Sequence, residues 1–316
     1  MTLAKVLLHS FGREHLKVTI GVPGRRTKDA AVPLLAFAGL TCLELRLAYG
    51  SAPLHLQLAE LPALAELHLS DYTDKVALRA SKPAPRLLHL SCLLGQLSAD
   101  FAMLPGLKTA CFASFTKLDC VANIAAATAL TCLQLCEWNT DWEHSSGMEL
   151  LRTIPSSVKC LALEGDWSEE VAALVGQQTG LEALALRGCE NYDPVAPPAG
   201  APVWAGLRAF SWTNAGDSRD RLNLPLGLCQ ASRLEALQCH VHTYTMEDME
   251  LLCSLPALKK LILAPYEWWD DGHRKLVKDP HGAIVRCIAR RALPGVYVEE
   301  VDEARKAEQL LEWALM

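Results

Sequence analysis

Leu130-Thr131-Cys132-Leu133-Gln134-Leu135 places leucine at the first, fourth and sixth of six positions, and that figure returns along most of the chain. It recurs as Leu40/Leu43/Leu45, Leu64/Leu67/Leu69, Pro85/Leu88/Leu90, Leu107/Ala110/Phe112 and, after the copy at 130, Val158/Leu161/Leu163. Leu181/Leu184/Leu186, Leu207/Phe210/Trp212, Leu234/Leu237/Cys239 and Leu258/Leu261/Leu263 complete the series. The copies begin at 40, 64, 85, 107, 130, 158, 181, 207, 234 and 258, so the steps run between 21 and 28 residues. In a strand the two residues flanking a single intervening one point the same way, so each L-x-L presents two apolar side chains on one face. A lone strand cannot bury them. Copies stacked side by side as a parallel sheet give the leucines one continuous core, and the returning segments must cover its far side.

Several copies follow a Leu-Pro pair: Leu61-Pro62, Leu104-Pro105 and Leu255-Pro256. Proline ends the returning segment and turns the chain into the next strand. With ten copies at this spacing, the chain from about residue 35 to 265 resembles the leucine-rich repeat superfamily. The resemblance implies an α/β leucine-rich repeat solenoid, with a curved parallel sheet on the concave side and helices, 3-10 turns or extended segments on the convex side. We divide the chain into an opening cap at 1–38, repeats at 39–265 and a closing cap at 266–316.

The caps follow from the repeat's own logic, because the first and last copies would otherwise expose their core. Val6/Leu8 and Val18/Ile20 each suit the inward pair of a strand. Six basic residues face two acidic ones over 1–38, a local balance of +4, compatible with a basic cap or a weak transit-peptide character. Near the end, Ala283 to Ala292 suits a helix, Val296-Tyr297-Val298 a strand and Glu303 to Trp313 a second helix. Between repeats, Ser168 is placed to cap a helix over 169–175, and Asp248 to make a capping-box contact behind Thr245. The shortest steps leave room only for 3-10 turns or extended chain.

Composition narrows the function. A net charge of −6 opposes a nucleic-acid partner held by phosphate neutralisation. No apolar run approaches the roughly 18 residues of a membrane span. Twelve cysteines are scattered through the repeats without paired C-x-x-C units, which points to a reducing intracellular compartment: cytoplasm, nucleus or an organelle interior. Cys132 and Cys160 share a repeat position on successive copies, where parallel strands lie about 4.8 Å apart. A redox pair would fit there, as would two small neutral packing residues. His240 and His242 fall on opposite faces of a strand, and Trp268-Trp269-Asp270-Asp271 reads as a solvated turn. No phosphate loop, dinucleotide fingerprint or nucleophile elbow is present. We therefore expect no catalytic, cofactor or metal residues, and no enzyme activity.

The third, fifth and seventh places of the figure line the concave face. From the fourth copy to the ninth, thirteen of these eighteen residues are Ala, Ser, Thr or Cys, which makes a flat, nearly neutral floor. Such residues also suit a tightly curved sheet. Earlier copies are more polar, with Glu44, Arg46, Glu66, His68 and His89; later ones add Gln134, Glu164, Arg187, Gln238 and His240. Leucine-rich repeats usually carry Asn or Cys three places past the last leucine. Here Tyr72, Phe115, Trp138 and Tyr266 stand there, with Cys189 the conventional match. These aromatics suit packing in the turns, and Trp138, Trp142, Trp167, Trp268 and Trp269 suit partner anchoring. The resemblance implies protein recognition, so we expect a non-enzymatic scaffold: a subunit or adaptor binding protein partners through the concave face and neighbouring loops. An F-box-type substrate receptor would need a preceding helical module, and this chain would then be a fragment. An inhibitor of the ribonuclease-inhibitor type would need two strictly alternating long repeats, which steps of 21 to 28 do not follow.

Overall fold

The computed structural model describes residues 6–11, 15–20, 39–47, 54–70, 76–79, 82–93, 96–113, 117–118, 121–137, 147–188, 194–214, 224–240, 246–264, 267–270, 275–278 and 293–300. They fall into two compact units, Met1–Val158 and Lys159–Met316. The expected turn aromatics Tyr72, Phe115, Trp138 and Tyr266, together with Trp142, Cys189 and both helices of the closing cap, lie outside the described residues.

The first unit opens on an antiparallel hairpin of β1 (Val6–Phe11) and β2 (His15–Ile20), with Val6 opposite Ile20 and Leu8 opposite Val18. The chain then alternates between two parallel sheets. One contains β3 (Cys42–Leu47), β5 (Glu66–Ser70), β7 (His89–Leu93), β9 (Thr109–Ala113) and β11 (Cys132–Glu137), with β2 joining β3 in parallel. The other contains β4 (Leu54–Gln57), β6 (Val76–Arg79), β8 (Gln96–Ala99) and β10 (Lys117–Leu118). Short steps thus return as one strand and, after β4, β8 and β10, a 3-10 turn at Leu58–Glu60, Phe101–Met103 and Val121–Ala126. The 28-residue step at 130 accommodates α1 (Gly147–Arg152). Leu43, Leu45, Leu67, Leu69, Ala110, Phe112, Leu133 and Leu135 are all buried, as the L-x-L reading requires. The third copy is displaced by two residues from Pro85/Leu88/Leu90 to Leu87/Leu90/Cys92: Leu90 pairs with Leu67 and Cys92 with Leu69, while Pro85 is exposed and Leu88 half-buried.

The second unit returns mostly through helices, although its step lengths overlap those of the first. Its parallel sheet runs β12 (Cys160–Gly165), β13 (Ala183–Gly188), β14 (Ala209–Asn214), β15 (Ala236–His240), β16 (Lys260–Ala264) and β19 (Tyr297–Glu300). The returns hold α2 (Glu169–Gly176), α3 (Val203–Gly206), a 3-10 turn at Leu226–Gln230 and α4 (Met246–Cys253). The strand expected at 296–298 is β19. Trp268 and Trp269 are not in a turn: they lie in β17 (Glu267–Asp270), which pairs antiparallel with β18 (Lys275–Lys278). That register sets Glu267 opposite Lys278 and Asp270 opposite Lys275, so opposite charges bracket the apolar pairs Trp268/Val277 and Trp269/Leu276.

One backbone contact fixes the stacking. In four repeats of each unit the carbonyl at the second place accepts two successive amides from the following repeat. Thr41 O takes the N–H groups of Ala65 and Glu66, Ala65 O those of Leu88 and His89, and Leu88 O those of Lys108 and Thr109. In the second unit Lys159, Glu182, Arg208 and Glu235 do the same, all at 2.8–3.0 Å. Both lone pairs of the oxygen are used, so a strand cannot slip without losing two bonds. The Leu-Pro pairs sit just before it in turns closed by Leu64 N–H to Leu61 O, Leu107 N–H to Leu104 O and Leu258 N–H to Leu255 O.

Ser168 holds the capping position of α2 with extended backbone, but its hydroxyl makes no capping bond. The capping-box contact expected of Asp248 behind Thr245 falls on a residue outside those described. Asp248 is buried, and its Oδ1 accepts the N–H of Leu224 at 3.1 Å, tying α4 to the preceding return. Trp204 fills the core of this unit, edge-on to Phe210 at 5.3 Å, with its N–H donated to Pro198 O. Gly227 packs directly against that ring, leaving no space for a Cβ.

The same second place carries a row of alternating charge in the second unit: Lys159, Glu182, Arg208, Glu235, Lys259. Lys159 lies 3.5 Å from Glu182, and Glu235 receives Arg208 Nε at 3.1 Å and Lys259 Nζ at 2.7 Å. Hydrogen bonds from Lys259 and then Arg208 hold the Glu235 carboxyl below its ordinary value of 4.5.

Two outcomes are expected. Gly227→Ala should cost about 1–3 kcal/mol through overpacking, whereas Gly39→Ala, with nothing near its Cβ position, should stay within about 0.5 kcal/mol in urea unfolding. Glu235→Gln should lower the unfolding midpoint at neutral pH. Because the carboxylate is favoured in the folded chain, that difference should be full above 4.5 and fade as pH falls through the lower folded value; high salt should shrink it.

Candidate partner-binding face

On the face of the first unit opposite its buried leucine column, the pairing brings four expected residues together. Glu44 of β3 stands opposite His68 of β5, and Glu66 of β5 opposite His89 of β7. Neighbouring parallel strands are about 4.8 Å apart, so these four side chains form one patch. Glu66 is exposed, and Glu44, His68 and His89 are partly exposed. His68 Nε2 lies 3.7 Å from Glu66 Oε2. Arg46 follows in the same row of β3, opposite Ser70, and Gln134 lies further along the sheet on β11, its amide 3.5 Å from Cys136 Sγ.

Cys42 adjoins this patch, opposite Glu66. Burial pushes its thiol up to about 11, and the charge and hydrogen bond of Glu66, with the charge of Glu44, add to the shift. Cys160 in the second unit is likewise raised to about 11, by burial and then by Glu182. Thiols held this high stay protonated at neutral pH and are poor nucleophiles. Both Cys132 and Cys160 are buried, and no described cysteine forms a disulfide.

The second unit's equivalent face departs from the open floor read from the sequence. Ala183 and Ala209 are 0% exposed, and Ser211, Gln238 and Ile262 are buried. Gln238 therefore does not offer a surface contact. Glu164 and Arg187 lie on adjacent strands, joined by an ion pair of 3.6 Å, with Arg187 exposed. His240 ends β15, opposite Ala264. Trp167 is a packing residue and not an exposed anchor: it is buried, and its N–H is donated to Val195 O at 3.0 Å. The loop at 190–202 supplies that carbonyl, which the sequence could not place.

Sequence reasoning passed over Cys42, the long-range partner of Asp248 and the alternating charged row. The row was legible, since aligning the repeats puts Lys, Glu, Arg, Glu and Lys in one column. Nothing in the repeat pattern announces the bond from Leu224 to Asp248.

No family model matches the chain, and no curated protein matches it. Among solved structures it is similar to TLR13 in its complex with ssRNA13, at 15% identity and TM-score 0.43 over 72% of this chain. It spans 39% of that longer protein. A leucine-rich repeat-containing protein from Legionella pneumophila, LegL7, is 14% identical with TM-score 0.44, over 92% of this chain and 91% of LegL7. An internalin, InlF, from Listeria monocytogenes is 15% identical with TM-score 0.35, over 79% of this chain and 80% of its own. The repeating figure, the parallel register of the strands it forms and the burial of its leucines make this chain a leucine-rich repeat fold.

Proposed function

We propose that the chain is a non-enzymatic protein-interaction scaffold, a subunit or adaptor in a larger assembly within a reducing intracellular compartment. The observation that carries this reading is the contrast between the two units. Glu44, Glu66, His68 and His89 gather on one accessible face of the first, while Ala183, Ala209, Ser211 and Gln238 on the corresponding face of the second are buried. Docking through β3, β5 and β7 follows, with Arg46 continuing the row. A partner presenting both basic and polar groups would match two carboxylates interleaved with imidazoles. Arg187 with Glu164, His240, and the tryptophans 138, 142, 268 and 269 are secondary contacts in this reading. No helix among the described residues is long and apolar enough to cross a membrane.

Affinity capture of the full chain, with quantitative mass spectrometry, tests it. A stoichiometric protein partner should be retained by the wild type and by Glu149→Lys, which changes an exposed residue of α1. The pair Glu44→Lys and His89→Ala should retain at least about tenfold less, as expected when contacts worth about 1.4 kcal/mol or more are lost. Equal retention by all three proteins would refute docking at this face.

A further inference from the structure

We propose that Cys42, Glu66 and His68 form a binding site for one zinc ion. Among the described residues, these three place a thiol sulfur, a carboxylate oxygen and an imidazole nitrogen within 4.8 Å of one another. The fold builds the cluster from two elements. Cys42 and Glu66 are register partners on β3 and β5, and His68 lies two residues beyond Glu66, on the same face of β5.

The donor set selects the metal. One sulfur, one nitrogen and one oxygen suit zinc, whereas magnesium and calcium favour oxygen alone. Zinc bonds of about 2.0–2.3 Å at tetrahedral angles separate neighbouring ligand atoms by roughly 3.3–3.8 Å. His68 Nε2 and Glu66 Oε2 are already at 3.7 Å. Cys42 is buried, while the side chains of His68 and Glu66 are 43% and 48% exposed and can rotate to close the remaining ångström. Three protein ligands leave a fourth position for water. Two carboxylates beside Cys42, Glu66 and Glu44, oppose a bare thiolate, and a dication removes that opposition. Binding converts the thiol to a zinc-bound thiolate, and its proton passes to solvent.

The site does not depend on the proposed docking function, and its test needs no partner. The metal-stripped full chain is titrated calorimetrically with Zn2+ at neutral pH, and with Co2+ as a spectroscopic probe. One zinc per chain is expected, together with a near-ultraviolet thiolate-to-cobalt absorption. His68→Gln, at a partly exposed position, should weaken zinc binding at least about tenfold without changing the melting temperature of the metal-free chain. Cys42→Ala should abolish the cobalt absorption, and Cys229→Ser, an exposed cysteine elsewhere, should change neither signal. No uptake, uptake unchanged in His68→Gln, or bound cobalt without the thiolate band would each overturn the proposal.

Discussion

The fold depends on a carbonyl that accepts two amides. At the second place of four repeats in each unit, one backbone oxygen holds two successive N–H groups of the next repeat, as Lys159 O does for Glu182 and Ala183. That contact fixes the register before any side chain is considered. A slip by one residue would turn every inward leucine outward. Because the register holds, Leu161, Leu184, Phe210, Leu237 and Leu261 align across the second unit, each 0% exposed. Burying such side chains contributes about 1.5–3 kcal/mol apiece. The backbone ladder orders the strands, and the apolar column makes that order favourable.

Register also composes the surface. Side chains at one repeat place form a row across the sheet, so a residue's neighbours are decided by its place in the repeat and not by its distance along the chain. Lys159, Glu182, Arg208, Glu235 and Lys259 become a row of alternating sign because each stands at place two. By the same rule Cys42 meets Glu66, Glu66 meets His89 and Glu44 meets His68. A metal-binding donor set and a charged patch can therefore arise from residues over twenty positions apart.

Much of this was legible in the sequence. The L-x-L spacing named the inward residues of every copy but the third, and the Leu-Pro pairs named the turns. Step length did not separate the returns: the 24-residue step at 40 returns through β4 and a 3-10 turn, the 24-residue step at 234 through α4. What the repeat does not encode was harder to read. Trp167 looked like an anchor because its type suits anchoring, yet a carbonyl from the loop at 190–202 holds it inside. Gln238 has the polarity of a surface residue, but its exposure is 1%, which no one-dimensional pattern reveals. Trp268 and Trp269 read as a turn because acids follow them, while their strand character depends on pairing with Lys275–Lys278. Asp248 satisfies an amide 24 residues away, outside any local capping rule.

The central claim is that each repeat is held by its immediate neighbours through this ladder and the apolar column behind it. Hydrogen exchange on a Leu184→Ala chain tests it most directly, because that leucine is fully buried in β13 between β12 and β14. The account predicts that amides of Cys160–Gly165 and Ala209–Asn214 lose protection first, while those of Lys260–Ala264 keep theirs. Equal loss along the whole second unit, or unchanged protection in the two flanking strands, would contradict it.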